Sequence, residues 1–104
     1  MITTTTETVP GRDIAEHLGI ATGNTVRAKH VGRDIMAGFK TLVGGEIAGY
    51  TEMLSESRNQ AIDRMVAQAQ AMGADAIINV RFTTSQVAQG MSEMLAYGTA
   101  VKLA

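Results

Sequence analysis

The sequence predicts an α+β domain of two layers, an antiparallel sheet packed by helices, and three observations carry that prediction. Residues 51–72 place Leu54, Ala61, Ile62, Met65, Ala69 and Met72 along one helical stripe, with Glu56, Asn59, Gln60, Asp63, Arg64, Gln68 and Gln70 on the other side. Segments on both sides of that helix alternate with the two-residue period of a strand. The resulting order of strand, strand, helix, helix, strand, strand lets two amphipathic helices lie on one sheet of hairpin-linked strands. A chain of 104 residues holds one domain of ordinary size, so residues 1–104 are read as a single unit.

Ile2 to Thr6 is β-branched throughout and reads as a short strand. Val9-Pro10-Gly11-Arg12-Asp13 is a turn. A second strand begins at Ile14 and runs, with an interruption, to Val31. Ile14, Leu18, Ile20 and Val26 share one parity, which predicts an apolar face. Ala15, His17, Gly19, Ala21 and Gly23 share the other, which predicts a flat face of small residues where another backbone can approach closely.

Gly32-Arg33-Asp34 opens a first helical segment, with Ile35, Met36, Phe39, Leu42 and Val43 near helical spacing and Gly44-Gly45 at its end. Tyr50 leads into the long helix, which Thr51 or Ser55 can cap and Gly73 closes. Ala76 to Thr84 is a strand, with Ile78, Val80 and Phe82 on one side and Ile77, Asn79, Arg81 and Thr83 on the other. Ser85 to Ser92 reads as a polar loop, and Glu93 to Leu103 as a last strand with Leu95, Tyr97, Val101 and Leu103 on one parity.

Composition narrows the function classes. The hydrophobic fraction of 45% is ordinary, but there is no Trp and only two Phe and two Tyr. Ala and Met take their place, and a core without large aromatic rings is thin enough for partner subunits to be a natural supplement. The absence of cysteine excludes a disulfide framework and thiolate metal sites, and fits a cytoplasmic protein. Met1-Ile2-Thr3-Thr4-Thr5-Thr6-Glu7 lacks the basic and apolar regions of a signal peptide. No apolar run approaches the roughly 20 residues of a membrane span. A net charge of −1 without a Lys/Arg cluster argues against nucleic acid as a partner.

Local patterns supply few chemical candidates. Gly32 to Thr41 follows a predicted strand, but Phe39 separates Gly38 from Lys40, which breaks the spacing of a phosphate loop. His30, Asp34 and Glu46 are weak candidate metal ligands, with no H-x-x-x-H or H-E-x-x-H spacing behind them. His17 reads as an interface residue on the small-residue face. Gly44-Gly45-Glu46-Ile47-Ala48-Gly49-Tyr50 is the most distinctive segment: its glycines allow close approach, and Glu46 and Tyr50 would stand one helical turn apart. The segment fits either a helix corner or a carboxylate and phenol facing one pocket. Glu52 and Glu56 at the helix start suit the helix dipole better than acid/base work. No G-x-S-x-G elbow, cysteine nucleophile or cofactor motif appears.

Taken together, Leu18-Gly19-Ile20 with Gly23, Gly44-Gly45-Glu46 with Tyr50, Arg58 with Ala61-Ile62 and Met65, Gly73-Ala74-Asp75-Ala76-Ile77, Val80-Arg81-Phe82, and Glu93 with Tyr97-Gly98-Thr99-Ala100-Val101 resemble the YbjQ-like family of uncharacterised bacterial and archaeal proteins, described as heavy-metal-binding domains. The resemblance spans nearly the whole chain in order. It implies a dodecin-like subunit with an added N-terminal strand and helix, and assembly into a homopentamer. It implies no established activity and no catalytic residue.

The expectation is therefore a non-enzymatic homo-oligomeric binding or structural module without a cofactor. The alternatives are a metal-binding protein, or an enzyme with a pocket between subunits. The candidate pocket or interface residues are Gly44, Gly45, Glu46, Tyr50, Arg58, Arg81 and Tyr97.

Overall fold

The computed structural model describes the backbone of residues 1–28, 42–43 and 46–104 and the side chains of residues 1–27 and 51–104. Its elements are β1 (Ile2–Thr3), β2 (Ile14–Ala28), β3 (Leu42–Val43), β4 (Glu46–Ile47), α1 (Ala48–Ala71), β5 (Ala76–Ala88) and β6 (Met91–Leu103). The main sheet has the order β1-β5-β6-β2. β6 pairs antiparallel with β5, as the alternating segments predict, and also with β2. β1 runs parallel to β5, so the sheet is mixed and not antiparallel throughout. The threonine run extends that edge: the Thr4 amide donates to Ile77 O (2.9 Å), and the Asn79 amide donates to Thr6 O (3.0 Å).

α1 lies on one face of the sheet, over β2 and β6 and only marginally over β5. Its buried stripe is Ser57, Ala61, Met65 and Ala69, four residues apart, with Met72 partly buried beyond; Leu54, expected on that stripe, is exposed. The strands meet this stripe with Ala21, Gly23, Ala96, Gly98 and Ala100. At Gly23 the contact is backbone on backbone. A Cβ built there would stand 2.2 Å from the Ala61 carbonyl oxygen and 2.2 Å from the Met65 amide nitrogen. A helix this close leaves no space for bulk beneath it, so methyl-sized residues surround the contact and Met65, Ile77, Val80 and Leu18 fill the volume beside it.

The helix ends as its sequence predicts. Gly73 adopts φ +84, its amide donates to Gln70 O (3.0 Å), and the Ala74 amide donates to Ala69 O (3.0 Å). This is the Schellman arrangement, with Ala74 and Ala69 supplying the apolar contact that accompanies it. The Pro10-Gly11 turn also forms, with the Arg12 amide donating to Val9 O (3.0 Å) and Gly11 at φ +76. It lays Val9 over Ala76, Ile78 and Val101 on the sheet face away from α1.

Three expectations fail for identifiable reasons. The first is strand parity. β2 changes register between Ile14 and Glu16 and between His17 and Gly19, where Gly19 takes φ +124. Each bulge inserts one residue and reverses the faces that follow. Leu18 packs into the helix-side core, whereas Ile20 and Val26 lie on the opposite face. In β5, Ile78 opposes Thr99 and Arg81 opposes Tyr97, so Asn79 and Val80 together face Gly98, with Asn79 at φ 53. Ile77 and Val80 therefore join the helix-side core, and Ile78 the other.

The second is the loop at residues 85–92. It is the end of a hairpin in which β5 runs to Ala88 and β6 starts at Met91, around Gln89-Gly90 with Gly90 at φ +74. Most of these residues are exposed, so no apolar alternation marks the strand and backbone pairing alone forms it. The third is the first helix: Leu42 and Val43 form β3, antiparallel to Glu46 and Ile47. The rest of that expected helix, with the end of the strand expected to reach Val31, lies outside the described residues.

Gly23→Ala should destabilise the fold by about 3 kcal/mol or more, because backbone and not a movable side chain occupies the Cβ position. Urea unfolding followed by circular dichroism measures it. A loss below about 1 kcal/mol would show that helix and strand can separate at little cost.

Candidate functional site

Among the described residues, the sheet face turned away from α1 is covered only at one end. There Val9, Ala76, Ile78 and Val101 are buried with Ile14 and Leu103 packed against them. Further along, cross-strand register sets side chains of one face in rows. Ile20 opposes Thr99; Thr22 opposes Tyr97, which opposes Arg81; Asn24 opposes Leu95; and Val26 opposes Glu93. Ile20 is 71% exposed, Val26 49% and Tyr97 38%, with Leu95 half-buried among them. These apolar side chains form a strip over β6 and the edge strand β2.

Polar groups beside the strip are already partnered. Arg81 Nη1 donates to Thr5 O (3.0 Å) and Val80 O (2.9 Å). Glu93 accepts from Asn24 Nδ2 at Oε2 (3.0 Å) and from Ser85 Oγ at Oε1 (3.4 Å). The face thus presents desolvatable apolar surface with a satisfied polar margin.

The exposed side of α1 does unexpected work at the free edge of β2. Glu56, Gln60, Arg64 and Gln68 recur every fourth residue and reach over that edge. Gln68 Oε1 accepts from the Thr22 amide, and Arg64 Nη1 donates to Asn24 O (2.6 Å). Gln60 Oε1 accepts from Arg27 Nη2 (3.0 Å), and Glu56 pairs with the same guanidinium at 3.7 Å. In the sequence these residues form only the solvated face of a helix. The regular four-residue spacing of long polar side chains is the signal that marks an edge cover.

Of the sequence-named residues, Arg81 and Tyr97 come together as direct cross-strand neighbours on the open face. Arg58 sits in the helix layer on the other side of the sheet, where Nη2 donates to Ser55 Oγ (3.2 Å). Within one chain it is therefore separated from Arg81. Glu46 opposes Val43 in the β3–β4 pair, and Tyr50 lies in the first turn of α1; their side chains are outside the described ones. Gly44, Gly45, His30 and Asp34 lie outside the described residues. His17 is exposed, opposite Val101. Among the described residues no three His, Cys, Asp or Glu side chains converge on a common point, so those residues do not fit a metal centre within one chain. No helix among them is long and apolar enough to cross a membrane.

Comparison with known proteins accounts for the whole chain. A family model described as "Putative heavy-metal-binding", that of the YbjQ family, matches residues 1–104. A UPF0145 protein of Photobacterium profundum is 65% identical over 103 residues, covering 99% of this chain and 100% of the relative. A UPF0145 protein of the archaeon Archaeoglobus fulgidus is 63% identical over 103 residues, covering 99% of this chain and 95% of that one. The crystal structure of a protein of unknown function from Pediococcus pentosaceus, assigned to the DUF74 family, superposes with a TM-score of 0.69 at 15% identity, covering 100% of this chain and 98% of its own. That likeness concerns the fold.

Removing the edge cover has a calculable effect. Each of the two bonds to the β2 backbone is worth about 0.5–1.5 kcal/mol. Arg64→Ala combined with Gln68→Ala should therefore cost about 1–3 kcal/mol in urea unfolding. An unchanged midpoint would show that water replaces both contacts at no cost.

Proposed function

The chain belongs to the YbjQ family, whose relatives carry the UPF0145 name, and from that premise we propose that it is a non-enzymatic, homopentameric binding or structural module of the cytoplasm. The observation that supports this reading best is the open sheet face, where Ile20, Val26 and Tyr97 are 71%, 49% and 38% exposed. Burying one large apolar side chain is worth about 1.5–3 kcal/mol, and a symmetric assembly repeats the gain at every seam. Shape supports the same reading. The chain measures 52 × 28 × 16 Å, with a radius of gyration of 16.9 Å, against about 13 Å for a compact domain of this length. A slab this thin has little interior of its own. Five is the subunit number that the family resemblance implies, and the cysteine-free sequence suits the cytoplasm.

The family's description favours one second reading, a metal-binding protein. Its ligands would be shared between subunits or drawn from His30, Asp34 and Glu46.

Sedimentation of the intact chain at micromolar concentration should return five times the mass of one chain. Ile20→Asp combined with Val26→Asp should reduce it to single chains with helix content unchanged. A monomeric parent protein, or a pentamer indifferent to both charges, would remove the basis of the assembly reading. Elemental analysis of protein purified without an affinity tag decides the second reading: a stoichiometric transition metal would favour it, and metal at background would end it.

A further inference from the structure

Between the first half of α1 and the distal parts of β2, β5 and β6, helix and sheet leave a cavity of about 340 Å³, within the size range of small-ligand sites. Among the described residues only two polar side chains are buried, Thr25 at 3% and Ser57 at 5% exposure, and both line this cavity. Thr25 Oγ1 donates to Ser57 O (3.3 Å). Ser57 lines the same cavity. Two hydroxyl-bearing side chains at the wall give an occupant polar contacts beside the apolar ones.

Charge points the same way. Arg58, on the lining, donates to the neutral Ser55 hydroxyl and pairs with no carboxylate among the described residues. Arg27 is already held by Gln60 and Glu56. Glu93, the one acidic lining residue, has both carboxylate oxygens engaged by Asn24 and Ser85. The remaining wall combines the apolar, adaptable Met53, Leu54 and Met94 with Thr84 and Ser92.

A guanidinium with no carboxylate partner among the described residues, two hydroxyl-bearing side chains and a flexible apolar wall match an anion that carries an aliphatic tail. We propose that this cavity binds a small amphipathic carboxylic acid, its carboxylate held by the Arg58 guanidinium and the Ser57 hydroxyl and its chain lying against Met53, Leu54 and Met94. The inference rests on the reading of the chain as a binding module and supplies the ligand class.

Titration calorimetry of the full chain with octanoate, octylamine and inorganic phosphate tests it, with the sedimented mass measured on the same samples. Octanoate should bind saturably, octylamine should not, and phosphate should bind at least ten-fold more weakly. Arg58→Gln should weaken octanoate binding about ten-fold or more and Ser57→Ala about three-fold, with thermal midpoint and mass unchanged. Equal binding of acid and amine would overturn the proposal, as would phosphate binding as tightly as octanoate, no saturable octanoate binding at millimolar concentration, or unaltered affinity in Arg58→Gln. A monomer that binds octanoate would end the assembly reading and leave this one standing. A pentamer that does not would end this one alone.

Discussion

Backbone contact between α1 and β2 at Gly23 is the constraint around which the rest of the molecule is arranged. Because the Ala61 carbonyl and the Met65 amide occupy the place of a side chain, the sheet beneath the helix must be nearly smooth. Ala21, Ala96, Gly98 and Ala100 follow from that, as do Ala61 and Ala69 on the helix. The bulges follow as well. Without the register shift before Gly19, the Ile20–Val26 parity would turn toward the helix, where the contact at Gly23 leaves no room for a side chain. A close-packed interior of small residues buries little area per residue, so bulkier apolar groups are displaced to the other face of the sheet.

This inversion limits what the sequence reveals. Periodicity identifies the long helix, its Gly73 terminus, the Pro10-Gly11 turn and the pairing of the last two strands, because each has a local cause in capping, turn geometry or alternation. Which face of β2 meets the helix is not local. An apolar parity ordinarily marks the core, and here the parity of Ile20 and Val26 marks the outside. Gly19 and Asn79 stand at the shifts that set the faces of β2 and β5; a glycine in a strand suggests a bend, but an asparagine does not announce a bulge. The arm at residues 85–92 escaped notice because exposed polar residues pair through backbone groups without leaving a hydrophobic pattern. Leu42 and Val43 fit helical spacing and strand pairing equally, since two residues carry no period.

The candidate site was legible in parts. The sequence places Arg81 and Tyr97 in one candidate set with Arg58. That they oppose each other depends on the extra residue at Asn79, which sets the register of everything after it. Arg58 was named beside them and belongs instead to the helix layer, beside Thr25 and Ser57. The two buried hydroxyl residues drew no attention in the sequence, where Ser and Thr on a helix and a strand look like solvent-facing positions.

The row of Glu56, Gln60, Arg64 and Gln68 along the outer edge of β2 bears on how copies of this chain can meet. An uncovered edge invites another strand to continue the ladder, and addition of that kind has no natural end, so it yields filaments. Here the Thr22 amide and the Asn24 carbonyl are occupied by side chains of the same chain, and β1 at the opposite edge is only two residues long. Growth by ladder extension is blocked on one side and has a short template on the other. What is left for contact is the broad surface of the sheet.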